Sequence, residues 1–119
     1  MTMPRSYLYF LAVPLVFVAD AAFAHAIVVA STPLPNETIA ASETEVEVRF
    51  NSRVDRARSR LTLVGPGGAS VVLPLADGAA ETLKSRASGL EDGRYRILWQ
   101  TLSVDGHITH GEISFQVKR

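Results

Sequence analysis

The segment LSVDGHITHG, Leu102 to Gly111, brings one carboxylate and two imidazoles close together as Asp105, His107 and His110. Carboxylate and neutral imidazole are both ligands for first-row metal ions. Asp105 and His107 stand two apart with Gly106 between them. The glycine permits a tight backbone, so both side chains can point to one side. A D-x-H element by itself fits a hydrogen-bonded turn equally well. Three donors from one loop rarely hold a metal tightly, so further ligands have to come from elsewhere in the chain. They are not thiolates, because the chain has no cysteine. The same absence excludes cysteine nucleophiles and disulfides.

The other end of the chain supplies a candidate. MTMPRS carries one positive charge at Arg5, and the run Tyr7 to Ala19, YLYFLAVPLVFVA, carries none. Small residues then bracket Phe23 as Ala22-Phe23-Ala24. This is the pattern of a secretory signal with its A-x-A cleavage site. The apolar run falls short of the roughly 20 residues that cross a bilayer as a helix. The reading is therefore a signal over residues 1–24 and a mature domain over residues 25–119, with His25 first.

A terminal histidine differs chemically from an internal one. Its free α-amine, with an ordinary pKa near 8, can bind a metal once deprotonated. The imidazole Nδ1 of the same residue can close a chelate ring on that ion. With Asp105 and His107 the set becomes three nitrogens and one oxygen. Nitrogen and carboxylate donors without sulfur suit Cu(II), one ion per chain, and first-row affinities peak at copper. Zinc is the alternative ion, although it prefers a tetrahedral arrangement. His110 lies outside this set, as a surface histidine, a group behind the ligands or an occasional substitute.

Period-2 patterning indicates the elements that must position these groups. ETEVEVRF alternates Val46, Val48 and Phe50 against Glu45, Glu47 and Arg49. GRYRILWQTL puts Tyr95, Ile97, Trp99 and Thr101 on one face, and HGEISFQVKR does the same with Ile113, Phe115 and Val117. Ile27 to Val29 form a short β-favouring run that Pro33 and Pro35 bring to an end. RLTLVG and SVVLPL read as short strands about a GPGG turn, and the stretch 76–93 holds one more. NSRVDRARS, Asn51 to Ser59, is a polar crossing with solvated arginines. No stretch of residues 25–119 carries a helical stripe. Six or seven short strands without a linker imply one all-β domain, a sandwich of two antiparallel sheets with Trp99 and Phe115 in its core.

Composition narrows the partners. The chain has 12 Lys plus Arg and 12 Asp plus Glu. Arg5 and Asp20 precede His25, so residues 25–119 are also formally neutral. A neutral chain has no global field for nucleic acid or an anionic membrane. A monomer that binds a metal ion is the expectation.

The sequence resembles the copper resistance protein C family, CopC or PcoC, over essentially all of residues 25–119. HAIVVASTPLPNE resembles the family's opening, with its terminal histidine and S-x-P element. GRYRILWQTLSVDGHITHGEISFQV resembles its ending, with Gly93, Tyr95, Trp99, Ser103, Asp105, His107, Gly111, Phe115 and Val117 in place. The resemblance implies an immunoglobulin-like or cupredoxin-like Greek-key sandwich in the periplasm. It also implies Cu(II) on His25, Asp105 and His107, and a copper carrier beside an inner-membrane partner of the CopD type. Two departures bear on the metal. The region that is methionine-rich in some members is LTLVGPGGASVVLPL here, with no methionine or histidine, and Ser52 stands where some members have an acid. One Cu(II) site is expected, without a thioether site for Cu(I).

Two other function classes fit parts of the pattern. A terminal histidine with a second histidine also resembles the histidine brace of copper monooxygenases. Such enzymes need an open equatorial position, which Asp105 would fill with negative charge. A structural sandwich with incidental histidines is the other alternative. A non-enzymatic copper carrier accounts for more of the residues than either.

Overall fold

The computed structural model describes residues 26–119. The signal reading for residues 1–24 and the ligand reading for His25 lie outside the described residues. Eight strands form: β1 (Val28–Thr32), β2 (Thr38–Ile39), β3 (Thr44–Phe50), β4 (Arg60–Val64), β5 (Ser70–Leu73), β6 (Thr82–Ala87), β7 (Gly93–Leu102) and β8 (Ile108–Val117). They build two sheets, one ordered β1-β3-β6 and one ordered β2-β8-β7-β4-β5.

The alternating residues do what their spacing predicts. Val46, Val48 and Phe50 of β3 are buried against Tyr95, Ile97 and Trp99 of β7 and Ile113, Phe115 and Val117 of β8. Full burial of an aliphatic or aromatic side chain stabilises by about 1.5–3 kcal/mol, so these facing strands carry much of the fold. Phe50 meets Trp99 edge-on at 5.1 Å between ring centroids, and Tyr95 stacks on Phe115 at 5.4 Å. The first contact joins the two sheets, because β3 and β7 belong to different ones.

Two features go beyond the alternation. β2 is two residues long and runs parallel to β8, with Thr38 opposite Gln116 and Ile39 opposite Val117. So short a strand leaves no period to read in a sequence. The crossing after β3 is less solvated than its arginines imply. Val54 is buried, and residues Arg56–Arg58 form a 3-10 turn. The Arg56 guanidinium donates to the carbonyl oxygens of Gly78 and Ala79, at 2.8 and 3.3 Å. Arg56 thus ties the crossing to the loop before β6.

Candidate metal centre

β7 and β8 form a long hairpin whose register runs without a break from Gly93 opposite Val117 to Leu102 opposite Ile108. Ser103 and His107 close it. The Ser103 N–H donates to the His107 carbonyl at 2.8 Å, and the Gly106 N–H donates to the Ser103 carbonyl at 2.9 Å. Val104, Asp105 and Gly106 make the connection, with Gly106 at φ +92°. A three-residue hairpin loop needs a left-handed position of this kind, which glycine adopts without steric cost. The D-G-H order is therefore built into the turn.

That turn sets the two candidate ligands side by side. Asp105 Oδ1 accepts a hydrogen bond from the His107 N–H at 3.1 Å. The same oxygen lies 3.2 Å from His107 Nδ1. The His107 N–H holds the Asp105 carboxyl below the usual carboxylate range; desolvation opposes it, and the His107 imidazole adds to the lowering. Asp105 is thus an anion at neutral pH. Both side chains are open to solvent, 42% exposed for Asp105 and 53% for His107. Nitrogen and oxygen ligands bind a divalent ion such as zinc at about 2.0–2.2 Å, so two of them at a right angle stand roughly 3 Å apart. The observed spacing is close to what two neighbouring donors on one ion require.

The start of the described chain lies at this same end of the sandwich. Val28 at the head of β1 pairs with Phe50 at the tail of β3. Just before it, Ile27 and Asn51 exchange two hydrogen bonds. The Ile27 N–H donates to Asn51 Oδ1, the Asn51 N–H donates to the Ile27 carbonyl, and both are 2.9 Å long. From Asn51 the crossing runs to Val54, which bridges to Ser103, and to Asp55, whose N–H donates to the Leu102 carbonyl at 2.8 Å. Ala26 is buried in the core. One polar crossing therefore touches both the first described residues and the base of the Asp105–His107 loop. Sequence reading missed this role of Asn51 and Val54, because neither residue type signals it.

His110 stands apart. It pairs with Gln100 in the register of β7 and β8 and projects from the outer face of the five-stranded sheet. There it lines a shallow groove of about 520 Å³ with Arg60, Leu98, Gln100 and Glu112, and neither Asp105 nor His107 reaches it. Beneath the loop, Thr101, Ser103 and Thr109 bury hydroxyls that have no protein partner among the described residues. Within residues 26–119 no three His, Asp or Glu side chains converge on one point.

A family model for the CopC domain matches residues 28–118. The chain belongs to the CopC family. It is 32% identical over 107 residues to copper resistance protein C of Xanthomonas campestris pv. juglandis, covering 82% of this chain and 83% of that protein. It is 29% identical over 108 residues to the copper transport protein CutJ of Bacillus subtilis, with 87% of this chain matching 20% of the longer relative. The crystal structure of CopC from Methylosinus trichosporium OB3b superposes with a TM-score of 0.73 at 31% identity, covering 79% of this chain and 94% of that one. The sandwich expected from strand patterning is the fold of this family.

Proposed function

We propose that this CopC-family chain is an exported, non-enzymatic copper carrier that holds one Cu(II) ion at the end of its sandwich. The ligands are the α-amine and imidazole of His25, the carboxylate of Asp105 and the imidazole of His107. Removal of residues 1–24 by a signal peptidase creates the amine, so export and competence to bind copper are one event. The exported chain resides in the periplasm. Its partner is an inner-membrane copper transporter of the CopD type, supported by the copper transport relative in which a domain like this one is a fifth of the length.

The observation that carries the reading is the Asp105–His107 pair, 3.2 Å apart and solvent-accessible. It is supported by the position of Ala26 and Ile27 at the same end of the fold. The donor chemistry favours Cu(II): imidazole, amine and carboxylate are ligands for the divalent ion, and methionine occurs only at Met1 and Met3, ahead of the cleavage point. A carboxylate among the ligands would favour the divalent state further and would occupy a position that an oxidising enzyme leaves open. Carriage is therefore preferred to catalysis.

The test is intact-mass analysis of periplasmic protein followed by Cu(II) titration. The reading expects a terminus at His25 and one Cu(II) per chain. A chain extended by one residue ahead of His25 should lose affinity nearly as H25A does, although it keeps every side chain. Undiminished binding by the extended form would overturn the proposed ligand set.

A further inference from the structure

We infer that Thr101, Ser103 and Thr109 hold ordered water between the core of the sandwich and the Asp105–His107 loop. Among the described residues, four buried side-chain polar atoms have no protein partner: Arg56 Nε and the hydroxyl oxygens of these three residues. Three of the four thus gather at one spot. Scattered orphans would each need a separate account, whereas a cluster points to one shared partner.

The hairpin of β7 and β8 shows why they gather. Its inward side chains pair across the strands as Tyr95 with Phe115, Ile97 with Ile113 and Trp99 with Gly111. The next such pair is Thr101 with Thr109. Ser103 follows two residues on, which returns it to the same face. The inner face therefore turns from apolar to hydroxyl-bearing just above the indole. It does so at the base of the loop, where the Ser103 N–H donates to the His107 carbonyl at 2.8 Å. The spot is closed to bulk solvent, with Thr101 at 0% and Ser103 at 5% exposure.

Packing alone does not call for hydroxyls here. Valine matches threonine in shape and favours strands as strongly, and Val46, Val48 and Val117 fill the same core. A hydroxyl buried without a partner gives up its hydration and receives nothing in return. Water repairs this where the site is polar and offers it roughly two to four partners. Three hydroxyls on paired strands supply three, each able to donate and to accept. A metal ion is the poorer occupant, because no carboxylate or imidazole stands among the three. Hydroxyls bridged through water join β7 to β8 where their ladder ends, at Leu102 opposite Ile108. The water is thus a fastening at the base of the loop.

Oxygen-17 relaxation dispersion of the solvent counts water molecules held longer than a protein takes to tumble. The sample is metal-free protein beginning at His25. Thr101→Val combined with Thr109→Val keeps the shape of the site and leaves one hydroxyl, too few to hold water. Thr101→Ser combined with Thr109→Ser keeps all three. The expected result is a smaller dispersion amplitude in T101V/T109V than in the parent, with the serine pair matching the parent. The valine pair should also resist urea no better than the parent does. If the hydroxyls are dry, T101V/T109V leaves the amplitude unchanged and raises the urea midpoint, because it deletes unsatisfied groups. Either of those outcomes overturns the proposal, as does a parent with no dispersion at all. Should the valine pair fail to fold, Thr101→Val with Ser103→Ala gives the same comparison. None of these results bears on the copper ligands.

Discussion

Gly111 stands directly opposite Trp99 across the β7–β8 pair, and the indole occupies the space a side chain at Gly111 would need. A Cβ built there would lie 2.6 Å from Trp99 Cζ2 and 2.9 Å from Cε2. Trp99 is only 8% exposed and packs edge-on against Phe50, so the ring cannot swing away at little cost. The hairpin that carries Asp105 and His107 is thus fixed to the opposite sheet through a ring that one missing methyl group admits.

Gly111→Ala should lower stability by about 1–3 kcal/mol, the usual penalty for overpacking a filled core. Trp99→Ala should cost about 3–5 kcal/mol through the cavity it leaves. Urea denaturation followed by circular dichroism measures both. A G111A protein as stable as the parent would mean that the indole has room to move.

Asp105 should titrate below the ordinary aspartate range, because the His107 N–H stabilises its anion. A carboxyl depressed in the folded state adds stability above its unfolded pKa and loses it as pH falls through the folded value. The contribution of Asp105 to loop order should therefore be intact at neutral pH and be lost as pH falls through its lowered pKa. Carbon-detected NMR of the Asp105 carboxyl provides the measurement. Asp105→Asn should release copper at a somewhat higher pH than the parent, since a site short of one ligand yields to protons sooner.

Cu(II) affinity should fall most on His25→Ala and His107→Ala and least on Asp105→Ala, because a chelating pair and an imidazole outrank one exposed carboxylate. His110→Ala should be silent, since that residue projects from the outer sheet face, away from the loop. Titration against a chromophoric chelator ranks the four. A loss in H110A comparable to that in H107A would assign the imidazole to the wrong histidine.

Selectivity for oxidation state should be pronounced. Competition with chelators specific for each state should show tight Cu(II) and weak Cu(I) binding, as expected of a site without thioether or thiolate. Equal retention of both states would point to ligands other than the proposed four.

The alternation of Val46, Val48 and Phe50, and of Tyr95, Ile97 and Trp99, was enough to place β3 and β7 and the core between them. Both strands are buried on one face and wet on the other, which is the condition under which period 2 is visible. The loop pair was legible for a related reason: D-G-H is a local turn, and the geometry that joins Asp105 to His107 needs no distant residue. The roles of Asn51, Val54 and Arg56 were not legible. They depend on where a crossing lies against Leu102, Ser103 and the loop at Gly78 and Ala79, and no periodicity encodes that placement. β2 was hidden by its length. Thr101 shares the inward face that the alternation gave it, but the lone burial of its hydroxyl appears only in three dimensions.

The double hydrogen bond between Ile27 and Asn51 has a kinetic meaning for a metal carrier. It moors the chain two residues from His25, so in the proposed carrier, which begins at His25, the terminal donors would be confined to a reach of about 7 Å from that mooring. Confinement of this kind acts as a high effective concentration of the terminal donors at the loop. Most of the entropy of closing a coordination ring is then spent when the sandwich folds rather than when the ion arrives. On the proposed ligand set, Asn51 would thereby govern how fast an ion is let go: with a slack mooring, the terminus would peel away first, and the cargo would be left on two donors, open to whatever receives it.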